Sequence, residues 1–230
     1  MLVRLGRVFG SGGPGGGVSI SPPSVALHLS ETAPSLGGQF TNKNIVAVGD
    51  SITNGFETTT PYPGLVAGHF GTTSVVKAHD GSGWVHDGGT GSIPANSSEV
   101  DAVVTVPPQT LILFAGTNDF AFDNADPTTI FNDMMTYRAG RVSAGFNASK
   151  IIIATMLPRG SFIESLRTSY NSLIVSNAST YGYAVARLDL DPNIGPLGSE
   201  TNLTYYNSDQ VHPNNAGHSI IAGIFEAVMS

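Results

Sequence analysis

From Asn44 to the C-terminus, short apolar runs alternate with longer stretches whose apolar residues recur at helical spacing. The runs occupy residues 45–48, 74–76, 110–114, 150–154 and 184–188, and they are rich in Val and Ile. Runs this short, with few polar residues between the apolar ones, read as strands covered on both faces. The helical stretches are 62–70, 127–143, 162–181 and 214–229. The second opens with Asp126 at the N-cap and Pro127 at the first helical position, where the missing N–H costs nothing. The last carries Ile220, Ile221, Ile224, Phe225 and Val228, spaced for one buried face. Strand–helix alternation of this kind predicts an α/β fold, a parallel sheet with helices packed on both faces. In such sheets a ligand sits beyond the carboxyl ends of the strands, so the residues just after each run are the ones to inspect.

Composition narrows the function classes. A chain of 230 residues supports one substantial core and is short for two full-sized domains. Ten basic residues stand against 17 acidic ones, a net charge of −7, which speaks against a nucleic-acid surface. The absence of Cys removes disulfides, thiol nucleophiles and thiolate metal sites. No apolar run approaches the ~18–20 residues of a membrane span. Residues 1–40 differ from the rest. Gly10 to Gly17 reads GSGGPGGG, the composition of a flexible linker, and the stretch before it lacks the apolar core of a signal peptide. Val25, Leu27 and Leu29 alternate, as a single strand would. The expected organisation is a Gly-rich leader over 1–40 and one folded domain over 41–230.

Three strand ends and loops carry chemistry. Gly49-Asp50-Ser51-Ile52 follows the first run. A serine on a strand-to-helix turn presents its Oγ, and the free N–H groups opening the helix point outward, suited to an oxyanion. Gly116-Thr117-Asn118-Asp119 follows the third run, where the Asn amide can donate across the same cleft. Asp209-Gln210-Val211-His212-Pro213 precedes the last helix. There the carboxylate can accept from Nδ1–H and leave Nε2 as a general base. Each segment alone is also an ordinary cap or turn. Together they fit Ser–His–Asp acyl transfer. A competing chemistry is metal hydrolysis through His79-Asp80 and His86-Asp87, although the Gly-rich segment between them fixes no ligand geometry.

These segments resemble the blocks of the GDSL-type SGNH hydrolases over about residues 44–230. GDSI at 49–52 is similar to the family's first block, GTND at 116–119 to its third and DQVHP at 209–213 to its last. The resemblance implies a three-layer, flavodoxin-like parallel sheet of about five strands. It also implies Ser51 as nucleophile, His212 as base and Asp209 as its partner. The family's second block is a glycine whose N–H joins the oxyanion hole with the Ser51 N–H and Asn118. Gly81 is the expected counterpart, with Gly83 as the rival, and Lys77 stands where the family usually has Asn. The single Trp, Trp84, follows and reads either as a wall for the acyl or sugar group or as core. The family's reaction needs no metal or cofactor. Its members include carbohydrate acetylesterases, lysophospholipases and thioesterases.

Short connections without an inserted apolar lid favour a short acyl group, and polar loops such as 193–207 suit a sugar ester. The substrate expected is therefore a small-molecule or glycan ester. A lysophospholipase- or thioesterase-type acyl hydrolase and a non-catalytic carbohydrate-binding module on the same fold are the alternatives. Asp50 and Asp119 are expected to anchor their loops, His69 to be structural, and His218 to lie at the surface or cap its helix.

Overall fold

The computed structural model describes residue 40 and residues 42–160 and 164–230. The leader, with its expected strand, lies outside the described residues apart from Phe40. Five strands form one sheet: β1 (Ile45–Gly49), β2 (Ser74–Ala78), β3 (Thr110–Phe114), β4 (Ile151–Ala154) and β5 (Ala184–Ala186). Every pairing is parallel, and the spatial order is β2-β1-β3-β4-β5. Seven α-helices connect and flank them: α1 (Ser51–Asn54), α2 (Tyr62–His69), α3 (Ser97–Asp101), α4 (Thr117–Asp123), α5 (Pro127–Ser143), α6 (Glu164–Tyr181) and α7 (Asn215–Met229). Asp126 caps α5 by accepting from the N–H groups of Thr128 and Thr129.

The period of two along each strand divides the core into two layers. Val46 and Val48 of β1, Leu111 and Leu113 of β3, Ile151 and Ile153 of β4, and Val185 of β5 share a cluster with Ile130 and Met134 of α5 and Tyr170 and Ile174 of α6. The alternate residues, among them Ala47, Ile112, Phe114, Ile152 and Ala186, cluster with Tyr62 and Val66 of α2 and Ile221 and Phe225 of α7. The sheet is therefore the middle of three layers, as a fold of this class requires. One expectation fails at the margin. Strand β2 is not covered on both faces: all five residues are partly exposed, and Val76 is 37% exposed. Among the described residues it is an edge strand, paired only with β1. The run at 184–188 also ends early, because Leu188–Leu190 turn into a short 3-10 segment.

Chain order reverses at β1. From it the chain moves outward to β2, then returns to the far side at β3. The crevice above the carboxyl ends of β1 and β3 is thus the switch point at which ligands bind in open α/β sheets. Ser51 begins the helix after β1, and Asn118 lies in the first turn of the helix after β3.

Candidate active site

The turn after β1 is built to hold a serine at its apex. Gly49 closes the strand where a Cβ would sit 2.1 Å from Thr53 Oγ1 and 2.3 Å from the Phe114 carbonyl oxygen, so no larger residue fits. Thr53 uses that space to donate to the Phe114 carbonyl at 3.1 Å, tying α1 to the end of β3. Asp50 caps α1 by accepting from the Ile52 N–H at 3.0 Å, and Gly55 ends the helix in the left-handed region, φ 87°. Asp50 is wholly buried, and burial pushes its carboxyl up to about 7.

The turn before α7 brings the partner groups. Asp209 Oδ1 accepts from the N–H groups of Val211 (2.9 Å) and His212 (3.1 Å). Its Oδ2 lies 2.5 Å from His212 Nδ1, and His212 Nε2 lies 2.8 Å from Ser51 Oγ. Burial raises the Asp209 carboxyl, but hydrogen bonds from the His212 ring and from both N–H groups outweigh it and hold the carboxyl below the usual range. The turn is held from both sides. Asn207 N–H donates to the His212 carbonyl at 2.9 Å, and Asn214 caps α7 by accepting from Ala216 and Gly217. The Phe56 ring, 42% exposed, packs 4.7 Å from the His212 ring.

The third wall is the segment between β2 and α3, and α4 organises it. The buried Asp119 carboxylate accepts from the N–H groups of Trp84 (2.9 Å), Val85 (2.7 Å) and His86 (2.9 Å). Asn118 Nδ2 donates to the Ser82 carbonyl at 2.9 Å. An amide nitrogen carries two hydrogens, and Ser82 is the one acceptor this nitrogen has among the described residues. The two candidate glycines differ here. The Gly83 N–H is donated to the His86 carbonyl at 2.9 Å, and a Cβ on Gly83 would sit 2.4 Å from both Asp119 oxygens. Gly81, at φ +80°, makes no such hydrogen bond through its N–H among the described residues. Asp119 anchors this segment as its position in the GTND block suggested.

Other sequence candidates fall elsewhere. Trp84, read as a wall or as core, is core: it is 2% exposed, packs in the α5–α6 layer and donates from Nε1 to the Ala115 carbonyl. His218 is not at the surface. It is fully buried, accepts from the Tyr62 N–H at 3.2 Å, and burial pushes it down to about 4. The two His-Asp pairs do not converge. His79 faces Glu99 and His86 faces Asp123, Asp80 accepts from Asn54 and Asp87 from Gly89 and Gly91. Among the described residues no cluster of three His, Asp or Glu side chains is placed to hold a metal.

Sequence reasoning missed three residues around the cleft. Phe56 backs His212. Phe122, 59% exposed, stacks on His86 and lies under Arg159. Arg159 donates from Nη1 to Asn118 Oδ1 at 3.3 Å. The rule that singles out the segment after each strand reaches Arg159, since it lies five residues beyond β4.

A family model for the GDSL-like lipase/acylhydrolase family matches residues 47–220. Solved structures with the same fold include a lipolytic protein of the G-D-S-L family from Veillonella parvula, at 16% identity. That match covers 79% of this chain and 95% of the other, with a TM-score of 0.60. A carbohydrate esterase of family 3 from Talaromyces cellulolyticus is 19% identical over 80% of this chain and 94% of its own, with a TM-score of 0.59. An active-site mutant of a family two carbohydrate esterase from Clostridium thermocellum is 20% identical over 81% of this chain and 62% of its own, with a TM-score of 0.56. No curated protein sequence matches the chain.

Proposed function

The chain belongs to the GDSL-like lipase/acylhydrolase family, and on that premise we propose that it is a serine esterase that removes short acyl groups, acetyl above all, from small-molecule or glycan esters. The observation that carries this reading is the continuous line from Ser51 Oγ to His212 Nε2 (2.8 Å) and from His212 Nδ1 to Asp209 Oδ2 (2.5 Å).

Ser51 Oγ attacks the ester carbonyl while His212 Nε2 takes its proton. Asp209, ionised and aligned with Nδ1–H, holds the ring in the required tautomer and stabilises its charged form. The oxyanion that develops is met by the N–H groups of Ser51 and Gly81 and by the second Asn118 Nδ2–H, donors fixed before the reaction begins. Collapse of the tetrahedral intermediate breaks the ester C–O bond, and His212 gives its proton to the departing alcohol. Water then repeats the sequence on the acyl-serine. The reading requires no metal or cofactor. Asp50 and Asp119 act only by holding their segments.

The exposed faces of Phe56 and Phe122 at the rim support a bound ring or sugar, and two of the structural neighbours are described as carbohydrate esterases. The test is a purified Ser51→Ala variant assayed on para-nitrophenyl acetate. The expected loss in kcat is about 10³-fold or more, with folding unchanged. Turnover equal to the parent's would remove Ser51 from the nucleophile role.

A further inference from the structure

Five arginines lie among the described residues, and four of them are held by carboxylates or carbonyls of the fold. Arg138 donates to the carbonyls of Ala148 and Tyr181, and Arg141 pairs with Asp101. Arg167 grips Glu164 and the carbonyls of Met156 and Gly195, and Arg187 pairs with Asp189. Arg159 is different. Its hydrogen-bond partner is the Asn118 side-chain oxygen, at 3.3 Å, and it forms no ion pair among the described residues. Its Nε is buried with no acceptor.

Two contacts of this side chain and one of the backbone beside it define its position. The Asn118 amide lies on one side. The exposed Phe122 ring lies against the guanidinium, 5.4 Å from its carbon. The backbone of the next residue is fastened to the turn that carries Asp209 and His212: the Gly160 N–H donates to the Gln210 carbonyl at 3.1 Å. A Cβ on Gly160 would meet Gln210 Oε1 at 2.6 Å, so the two segments are in close contact. The guanidinium therefore borders the cleft between Asn118 and the His212 turn. Burial lowers its pKa, and the fields of Asp50 and Asp209 oppose that from beyond pairing distance. An arginine stays charged under such conditions.

A partly buried cation with most of its donors unused is costly unless something supplies the counter-charge. A planar fork of N–H groups matches a carboxylate in two-point geometry. We infer that Arg159 determines specificity by binding a carboxylate carried by the ester substrate, on either its acyl or its alcohol part. The inference rests on the esterase reading above and names the substrate class for the same site. If Arg159 only oriented Asn118, its loss would slow charged and neutral esters alike.

The experiment compares matched esters with the full chain. para-Nitrophenyl hemisuccinate against para-nitrophenyl butyrate places the charge on the acyl side. para-Acetoxybenzoate against its methyl ester places it on the alcohol side. The readout is the ratio of kcat/KM, charged over neutral, within each pair. Arg159→Gln is expected to lower the ratio of one pair by about tenfold, the scale of a lost charge-assisted hydrogen bond, and that pair identifies the half of the substrate involved. Arg159→Lys retains the charge and is expected to keep part of the ratio. If Arg159→Gln does not fold, the parent protein still decides: added salt must lower the same ratio by screening. Ratios unmoved by substitution and by salt in both pairs overturn the inference. Absence of Ser51-dependent turnover on the neutral esters would instead defeat the esterase reading.

Discussion

The two glycines of the segment after β2 differ at the scale of single atoms, and the difference makes the proposed oxyanion donor testable. At Gly83 an added methyl would sit 2.4 Å from both oxygens of Asp119. Displacing that carboxylate would leave the N–H groups of Trp84, Val85 and His86 without their acceptor. Gly83→Ala is expected to cost about 2–4 kcal/mol of stability. At Gly81 the nearest atom to an added methyl is 3.5 Å away, but φ is +80°. Alanine there carries about 1–2 kcal/mol of backbone strain, which a rotation of the peptide relieves at the expense of the N–H direction. Gly81→Ala is therefore expected to keep most of the stability and lose kcat. Denaturant melts and steady-state kinetics on both variants check this, and the reverse pattern would reassign the donor to Gly83. In sequence the two glycines are rivals because both sit in a Gly-rich stretch, and the hydrogen bond from Gly83 to His86 and the closeness of Asp119 to Gly83 distinguish them.

At the scale of elements, legibility follows length and period. Helix α5 and strand β3 are found with the bounds expected, because their apolar spacing, and for α5 its cap, are written in their own residues. Helices α1, α3 and α4 span only four, five and seven residues, too few turns for a hydrophobic face to declare itself. They depend on contacts that are distant in sequence, such as Thr53 with Phe114 or Asp119 with the segment at 84–86. Strand β2 is a short Val-rich run like the covered strands, but coverage is a property of its place in the sheet. Helix α1 adds a prediction of its own. Its cap, Asp50, has a carboxyl raised from 3.8 to about 7, chiefly by burial. The folded state therefore holds this proton more tightly than the unfolded chain, and stability falls as pH rises from about 4 towards 7. Asp50→Asn keeps an acceptor for the Ile52 N–H and removes the titration. The melting temperature of the variant relative to the parent is expected to climb across that interval and level off above it. A difference independent of pH would mean that Asp50 does not carry the proton.

At the scale of the whole molecule, the apolar residues are consumed by two layers on opposite faces of one sheet. The crevice above β1 and β3 is left with polar groups and the exposed rings of Phe56 and Phe122. A cavity of about 420 Å³ bordered by Ser92, Ser97, Tyr137 and Arg141 does not include Ser51 or His212, so it gives an acyl chain on Ser51 no enclosed apolar volume. A long acyl chain gains about 0.8 kcal/mol for each methylene removed from water, but only where there is a surface to cover it. Against this site most of a dodecanoyl chain would remain in water while its bulk lay across the two rings. In a series of para-nitrophenyl esters kcat/KM is therefore expected to be highest for acetyl or propionyl and to decline through octanoyl to dodecanoyl. Because every member shares one leaving group, the trend reports the acyl side alone. A maximum at dodecanoyl would require the crevice to open an apolar channel on binding, and would overturn the short-acyl reading proposed above in favour of a lipase-like one.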